Sequence, residues 1–246
     1  MGFRSDMGVL WHLLSAKAKS GADHQERLEA FYSGQREAYD SFRKRLLHGR
    51  ERLMELLPLP AGGGTLIDMG GGTGSNLEAL GDKINHLERA SVLDLCPSLL
   101  HVARERITQR GWTNVDAIHG DATQYQPPEP VDAITFSYSL TMIPDWFESI
   151  LHAYKILKPG GIIGVVDFYV PRKWPDKDRK SGSGFTRTFW PTWFGYDNVF
   201  LSSDHLPFLS RRFDPITVEE NRGKVPYMLG MKAPYYIFIG KKPLQA

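Results

Sequence analysis

A short apolar run, Thr65-Leu66-Ile67-Asp68, leads directly into Met69-Gly70-Gly71-Gly72-Thr73-Gly74, and a helix-compatible stretch from Asn76 to Leu80 follows. Strand, glycine turn and helix in that order open a parallel α/β sheet. Glycine admits positive φ and lets backbone approach a ligand closely, while the helix start behind it presents unpaired N–H groups. Glycine spacing alone is a weak signal, because turns are often glycine-rich. The acid ahead of the turn sharpens it. A dinucleotide fingerprint runs G-x-G-x-x-G, whereas here Gly70-x-Gly72-x-Gly74 stands behind Asp68.

Further strands follow at the spacing of βαβ units. Ala90-Ser91-Val92-Leu93-Asp94 ends in an acid suited to both hydroxyls of a ribose, or to a turn or helix cap. Val115-Asp116-Ala117-Ile118 is a third strand, followed by His119-Gly120-Asp121-Ala122. Val131–Phe136 is a fourth, running into Ser137-Tyr138-Ser139-Leu140. Ligands of open α/β sheets bind beyond the carboxyl ends of the strands, which makes Ser137 and Tyr138 site candidates. Leu157-Lys158-Pro159-Gly160-Gly161 is a turn before a fifth strand, Ile162–Phe168, and Tyr235–Gly240 is the last strand.

With 246 residues, 41% of them hydrophobic and 24% charged, the chain is long enough to bury a substantial core. A net charge of +2 gives no bulk argument for nucleic acid. The single cysteine, Cys96, excludes an internal disulfide and a cysteine zinc cluster, so a cytoplasmic setting is expected and no metal. No apolar run approaches the roughly 18 residues of a spanning helix. Residues 1–60 read as an N-terminal helical lid and 61–246 as the α/β domain, with an insertion over about 171–215.

The strand ends and their spacing resemble class I S-adenosylmethionine-dependent methyltransferases, over roughly residues 64–170 and the terminal strand. The resemblance implies a Rossmann-like, seven-stranded, mostly parallel sheet with helices on both faces. It implies S-adenosyl-L-methionine as cofactor, with Asp68, Gly70, Gly72, Gly74, Asp94, Asp121, Ala122 and Ser137 around it. Asp68 matches the family acid near the cationic methionine end, and Asp121 the acid that receives the adenine amino group. A cofactor-binding partner subunit without turnover would carry the same residues. Methyltransferases of exocyclic base amines often carry Asn-Pro-Pro-Tyr or Asp-Pro-Pro-Tyr after strand four; Ser137-Tyr138-Ser139-Leu140 differs.

Residues 171–215 interleave aromatic and basic side chains, among them Trp174, Phe185, Trp190, Phe194, Arg172, Lys173 and Arg187. Stacking of single-stranded nucleic acid, contact with an anionic membrane and plain helical packing all fit such a composition. The bases concentrate before residue 188 and the apolar residues after it, which suits a lipid. Phe31-Tyr32, Tyr39–Arg43, Leu46–Arg50, Trp193-Phe194 and Leu201–Leu206 resemble the methyltransferase of betaine-lipid synthesis, which trimethylates diacylglyceryl-homoserine. The expected partners are then a lipid or small-molecule amine, a membrane surface touched transiently and peripherally, and an enzyme supplying diacylglyceryl-homoserine. Phosphatidylethanolamine and a quinone ring carbon are the alternative acceptors.

An amine attacking a sulfonium methyl needs positioning and a neutral nitrogen, and aromatic rings hold a methylated ammonium by cation–π contact. Tyr32, Tyr39, Tyr138 and Tyr169 are candidates for that wall, against the alternative of core packing. His48 or His205 could accept the proton, although lone histidines are more often structural. Arg43, Arg45 or Arg50 could meet the homoserine carboxylate.

Overall fold

The computed structural model describes residues 45–60, 62–196, 198–226 and 228–244. Tyr32, Tyr39 and Arg43, with most of the expected lid, lie outside the described residues. The described chain forms a seven-stranded sheet in the order β3-β2-β1-β4-β5-β7-β6. The strands are β1 Thr65–Met69, β2 Arg89–Asp94, β3 Val115–His119, β4 Val131–Ser137, β5 Leu157–Phe168, β6 Asp214–Lys224 and β7 Lys232–Lys241. The first five pair in parallel; β7 is antiparallel to both β5 and β6. The helices are α1 Arg50–Leu56, α2 Pro97–Arg110, α3 Trp146–Ile156, α4 Gly184–Gly195 and α5 His205–Arg212, with a 3₁₀ segment over Leu77–His86.

Strands buried on both faces read as apolar runs rather than alternations, and β1, β2 and β4 do so because helices cover both sides. One face carries Leu53, Leu77, Leu100 and Phe194 from α1, the 3₁₀ segment, α2 and α4. The other carries Ile150, Ala153, Leu206 and Leu209 from α3 and α5. The 50–56 helix is thus a core element: a Cβ on Gly164 of β5 would stand 2.8 Å from Leu57 and 3.1 Å from Leu53. The expected turn at 157–161 is part of β5. Gly160 takes φ 76°, and the register with β4 shifts between Val131 and Ala133, so the strand absorbs the turn as an irregularity.

Strand order reverses at β1, which pairs with β2 on one side and β4 on the other. Such a switch point opens a crevice at the carboxyl ends of the strands. Met69 stands opposite both Leu93 and Phe136, and Asp94 opposite His119. Register therefore carries the glycine turn, Asp94, the 119–121 turn and Tyr138 to one end of the sheet.

Candidate active site at the carboxyl ends of the strands

The glycine turn folds back onto β2. Gly70 and Gly71 both donate to the Leu93 carbonyl, at 2.8 and 3.1 Å, and Gly72 donates to Asp94 Oδ2 at 2.8 Å. Gly70 has φ 66°, and a Cβ there would lie 2.5 Å from the Ser139 Cβ. Only glycine lets these two loops meet. The Asp94 carboxylate is held from two sides, since Cys96 N–H donates to its Oδ1 at 2.8 Å. Asp121 receives the Thr123 N–H at 2.7 Å and its hydroxyl at 2.8 Å on one oxygen, which fixes the turn after β3. A cavity of about 250 Å³ lies among these loops, with Gly70, Gly72, Asp94, Asp121, Ala122 and Tyr138 in its wall.

Asp68 is fully buried on β1. Burial pushes its carboxyl up to about 6, against hydrogen bonds from Thr135 and Asn76 and the charge of Arg50, while Asp94 adds to the rise. Thr135 Oγ1 donates to Oδ1 at 2.7 Å and Asn76 Nδ2 at 3.1 Å; Oδ2 has no hydrogen-bond partner. A buried, half-satisfied carboxylate calls for a donor or a positive charge. Arg50 Nη2 donates to Ser75 Oγ at 2.8 Å. Arg50, Ser75 and Asn76 line a broad second cavity of about 1030 Å³, together with His48 and Gly49.

The other sequence-predicted residues separate. Ser137 is buried at the end of β4 with its hydroxyl unpartnered and does not line the 250 Å³ cavity; Ser139, two residues on, does, and donates to the Met69 carbonyl at 2.9 Å. Tyr138 lines the cavity at φ 55°, and its hydroxyl donates to the His48 carbonyl at 2.6 Å. Burial, with Asp167 and Tyr235 adding, holds that phenol well above its ordinary range, while Arg50 opposes. It serves as a donor at neutral pH, not a base. Tyr169 lies in a different cavity, where its hydroxyl donates to Glu220 Oε1 at 2.8 Å. No one wall holds both tyrosines.

His48 lies against the β6–β7 hairpin: its Nε2 is 2.9 Å from the Lys224 carbonyl and its ring stacks on Tyr235. His205 is buried against Trp146, centroids 4.7 Å apart, with neither ring nitrogen hydrogen-bonded. Burial lowers it to about 4, with Asp204 opposing, so it is neutral, and it does not line the cavity. Asp167 was unmarked in the sequence reading. It is fully buried and takes the Thr141 hydroxyl at 2.7 Å, the Thr141 N–H at 3.1 Å and the Phe168 N–H at 2.8 Å. Burial raises it to about 7 against those bonds. It ties the loop after β4 to the end of β5. Thr135 and Asn76 were also missed, and no motif marks a lone Thr or Asn whose only sign is its distance from Asp68.

Residues 41–176, more than half of the chain, match the model of the ubiE/COQ5 methyltransferase family. The chain belongs to that family. A demethylmenaquinone methyltransferase of Listeria monocytogenes serotype 4a (strain HCC23) is 29% identical over 123 residues, which is 50% of this chain and 52% of the relative. A ubiquinone/menaquinone biosynthesis C-methyltransferase UbiE of Hydrogenovibrio crunogenus is 30% identical over 43% of this chain and 42% of its own length. The chain thus spans about half the length of the relatives it matches. In fold it is similar to phosphoethanolamine N-methyltransferase 2 of Haemonchus contortus, solved with S-adenosyl-L-methionine. The TM-score is 0.68 at 13% identity, over 92% of this chain and 61% of that one. N-methyltransferase NodS of Bradyrhizobium japonicum gives 0.55 at 18% identity, over 79% and 94%.

The chain therefore combines membership of a methyltransferase family with the fold of a structure solved with S-adenosyl-L-methionine. The residues fit that donor on their own terms. Asp68 keeps a buried carboxylate oxygen without a hydrogen-bond partner beneath the glycine turn, where a Cβ on Gly71 would stand 2.8 Å from it, and Gly70 and Gly72 line the cavity beside Asp94. No helix among the described residues is long and apolar enough to cross a membrane.

Proposed function

We propose that the family member transfers methyl groups to an acceptor carried on an apolar, membrane-resident molecule, delivered over the ends of β4 and β5. S-adenosylmethionine, when bound, supplies an electrophilic methyl on a cationic sulfur. Asp94 would hold the ribose hydroxyls and Asp121 the adenine amino group, both from the wall of the cavity of about 250 Å³. Asp68 with Asn76 would balance the positive methionine end, and Arg50, on the far side of Ser75, its carboxylate. The observation that carries this reading is Asp68 Oδ2, a buried carboxylate oxygen awaiting a cation beside the glycine turn.

Two acceptors have separate support. A quinone ring carbon has the support of the relatives, which are named as quinone methyltransferases and match about half of the chain. The amine of diacylglyceryl-homoserine has the support of the outer motifs, of which Trp193-Phe194 and Leu201–Leu206 lie beyond the matched family region. It also asks less of the described residues, because Tyr138 and His48 are engaged with backbone carbonyls and an amine needs no base to strip a ring. The test is mass spectrometry of mixed micelles holding full-length protein, S-adenosylmethionine and either diacylglyceryl-homoserine or demethylmenaquinone. Methyl gains on the lipid amine establish the betaine-lipid reading and count the transfers; a single gain on the quinone establishes the other. No gain on either, with donor binding intact, would remove both acceptors.

A further inference from the structure

The segment leaving β5 runs across the surface with Arg172, Lys173, Lys177, Arg179 and Lys180, and α4 follows with Phe185 and Arg187. Two cavities of about 320 and 360 Å³ open along it and share Val170, Arg172 and Ser203. In the first, Asp176 and Glu220 stand among the cations, and Lys180 is bound to Glu220 through both its backbone and side-chain nitrogens. The second has Arg172, Lys173, Trp174 and Arg187 in its wall and no acid. Arg172 pairs with Asp204 at 2.5 Å, but Lys173, Lys177 and Arg187 are exposed and form no ion pair among the described residues.

Packing accounts for part of the aromatic content only. Trp190 and Phe194 are buried on the sheet, whereas Trp174 is 81% exposed, Phe185 59% and Phe200 62%. Large rings left in water beside unpaired cations mark an interaction surface. Their faces are partly taken: Lys173 Nζ stands 5.0 Å over the Trp174 ring, and Phe185 stacks on Phe189 at 4.9 Å and 13°. Nucleic acid bases need open faces to stack; insertion between lipid head groups needs only bulk and edges.

We propose that residues 171–187, with Phe200, dock the enzyme on an anionic bilayer, the cations meeting lipid phosphates and Trp174, Phe185 and Phe200 entering the interfacial layer. The surface is coupled to the site, since Phe200 N–H donates to the Thr141 carbonyl at 2.8 Å, in the loop that Asp167 anchors. The proposal holds whichever acceptor is methylated.

The test is sedimentation of full-length protein with vesicles of phosphatidylcholine alone, or of phosphatidylcholine with one third phosphatidylglycerol, in the presence of S-adenosylmethionine. Binding is expected on the anionic vesicles alone and is expected to fall with salt. Lys173→Gln with Arg187→Gln should weaken it about 25-fold, about fivefold for each charge, and Trp174→Ser should weaken it at every salt concentration. Unchanged donor affinity would show that these variants are folded; exposed Lys173→Gln alone serves should the double variant misfold. Parent-like binding by the variants, equal binding to neutral vesicles, or none to either would overturn the proposal. So would tighter binding to a single-stranded oligonucleotide, or release from vesicles by millimolar inorganic phosphate at constant ionic strength.

Discussion

The Asp94 carboxylate accepts from Gly72 and Cys96, so it shapes the glycine turn as well as facing the cavity. Truncation to alanine would leave two buried donors unpaired, at about 1–3 kcal/mol each, and would confuse loss of binding with loss of fold. Asp94→Asn is the cleaner probe: donor affinity by calorimetry should fall at least about tenfold, near 1.4 kcal/mol, with the circular dichroism spectrum kept. Parent-like affinity would end the ribose assignment. Asp68 sets a pH dependence. Its proton is held until about pH 6, so the site is neutral below that and negative above it, and a cationic ligand binds the ionised form. S-adenosylmethionine should bind more tightly from pH 5 to 7 and then level off, in a curve that Asp68→Asn flattens. The acids at strand ends were legible because strand, acid and turn sit together in sequence. Asp167 was not, since a single acid inside an apolar strand carries no sign of the loop it will hold.

At the scale of elements, the loop after β4 depends on Asp167 for its link to β5. Asp167→Ala should cost about 3 kcal/mol by removing the acceptor of three buried donors. It should also raise the Michaelis constant for the acceptor more than the dissociation constant of the donor, a split readable from steady-state kinetics beside calorimetry. The parallel strands were legible as short apolar runs bounded by turns. β6 was not: Asp214–Lys224 is half-buried or exposed at the sheet edge in all but Gly223 and reads as Val-Glu-Glu-Asn-Arg, charged where an interior strand would be apolar. Edge strands carry such charges against unwanted pairing, and that removes the pattern by which strands are found. Within residues 171–215, Lys173, Lys177 and Phe200 are exposed, while Trp190 and Phe194 form the buried face of α4.

For the whole molecule, His205 is a buried histidine whose ring makes aromatic contacts but no hydrogen bond. Its folded value of about 4 lies below the ordinary 6.5, so the stability tied to its neutral form is present above pH 6.5 and lost as pH falls toward 4. His205→Phe should remove that acid loss and raise the melting temperature at neutral pH by about 2–6 °C, for about 1–2 kcal/mol of relieved desolvation. A lower melting temperature would mean that a polar partner is present at the ring. The sheet order has its own consequence for biosynthesis. β7 lies between β5 and β6, so β6 leaves the ribosome with no neighbour to pair with. Five strands can assemble while the chain is still growing, but the edge of β5 stays open until residues 232–241 arrive. In that interval the nascent enzyme offers an unpaired strand edge to any chaperone or second nascent chain nearby.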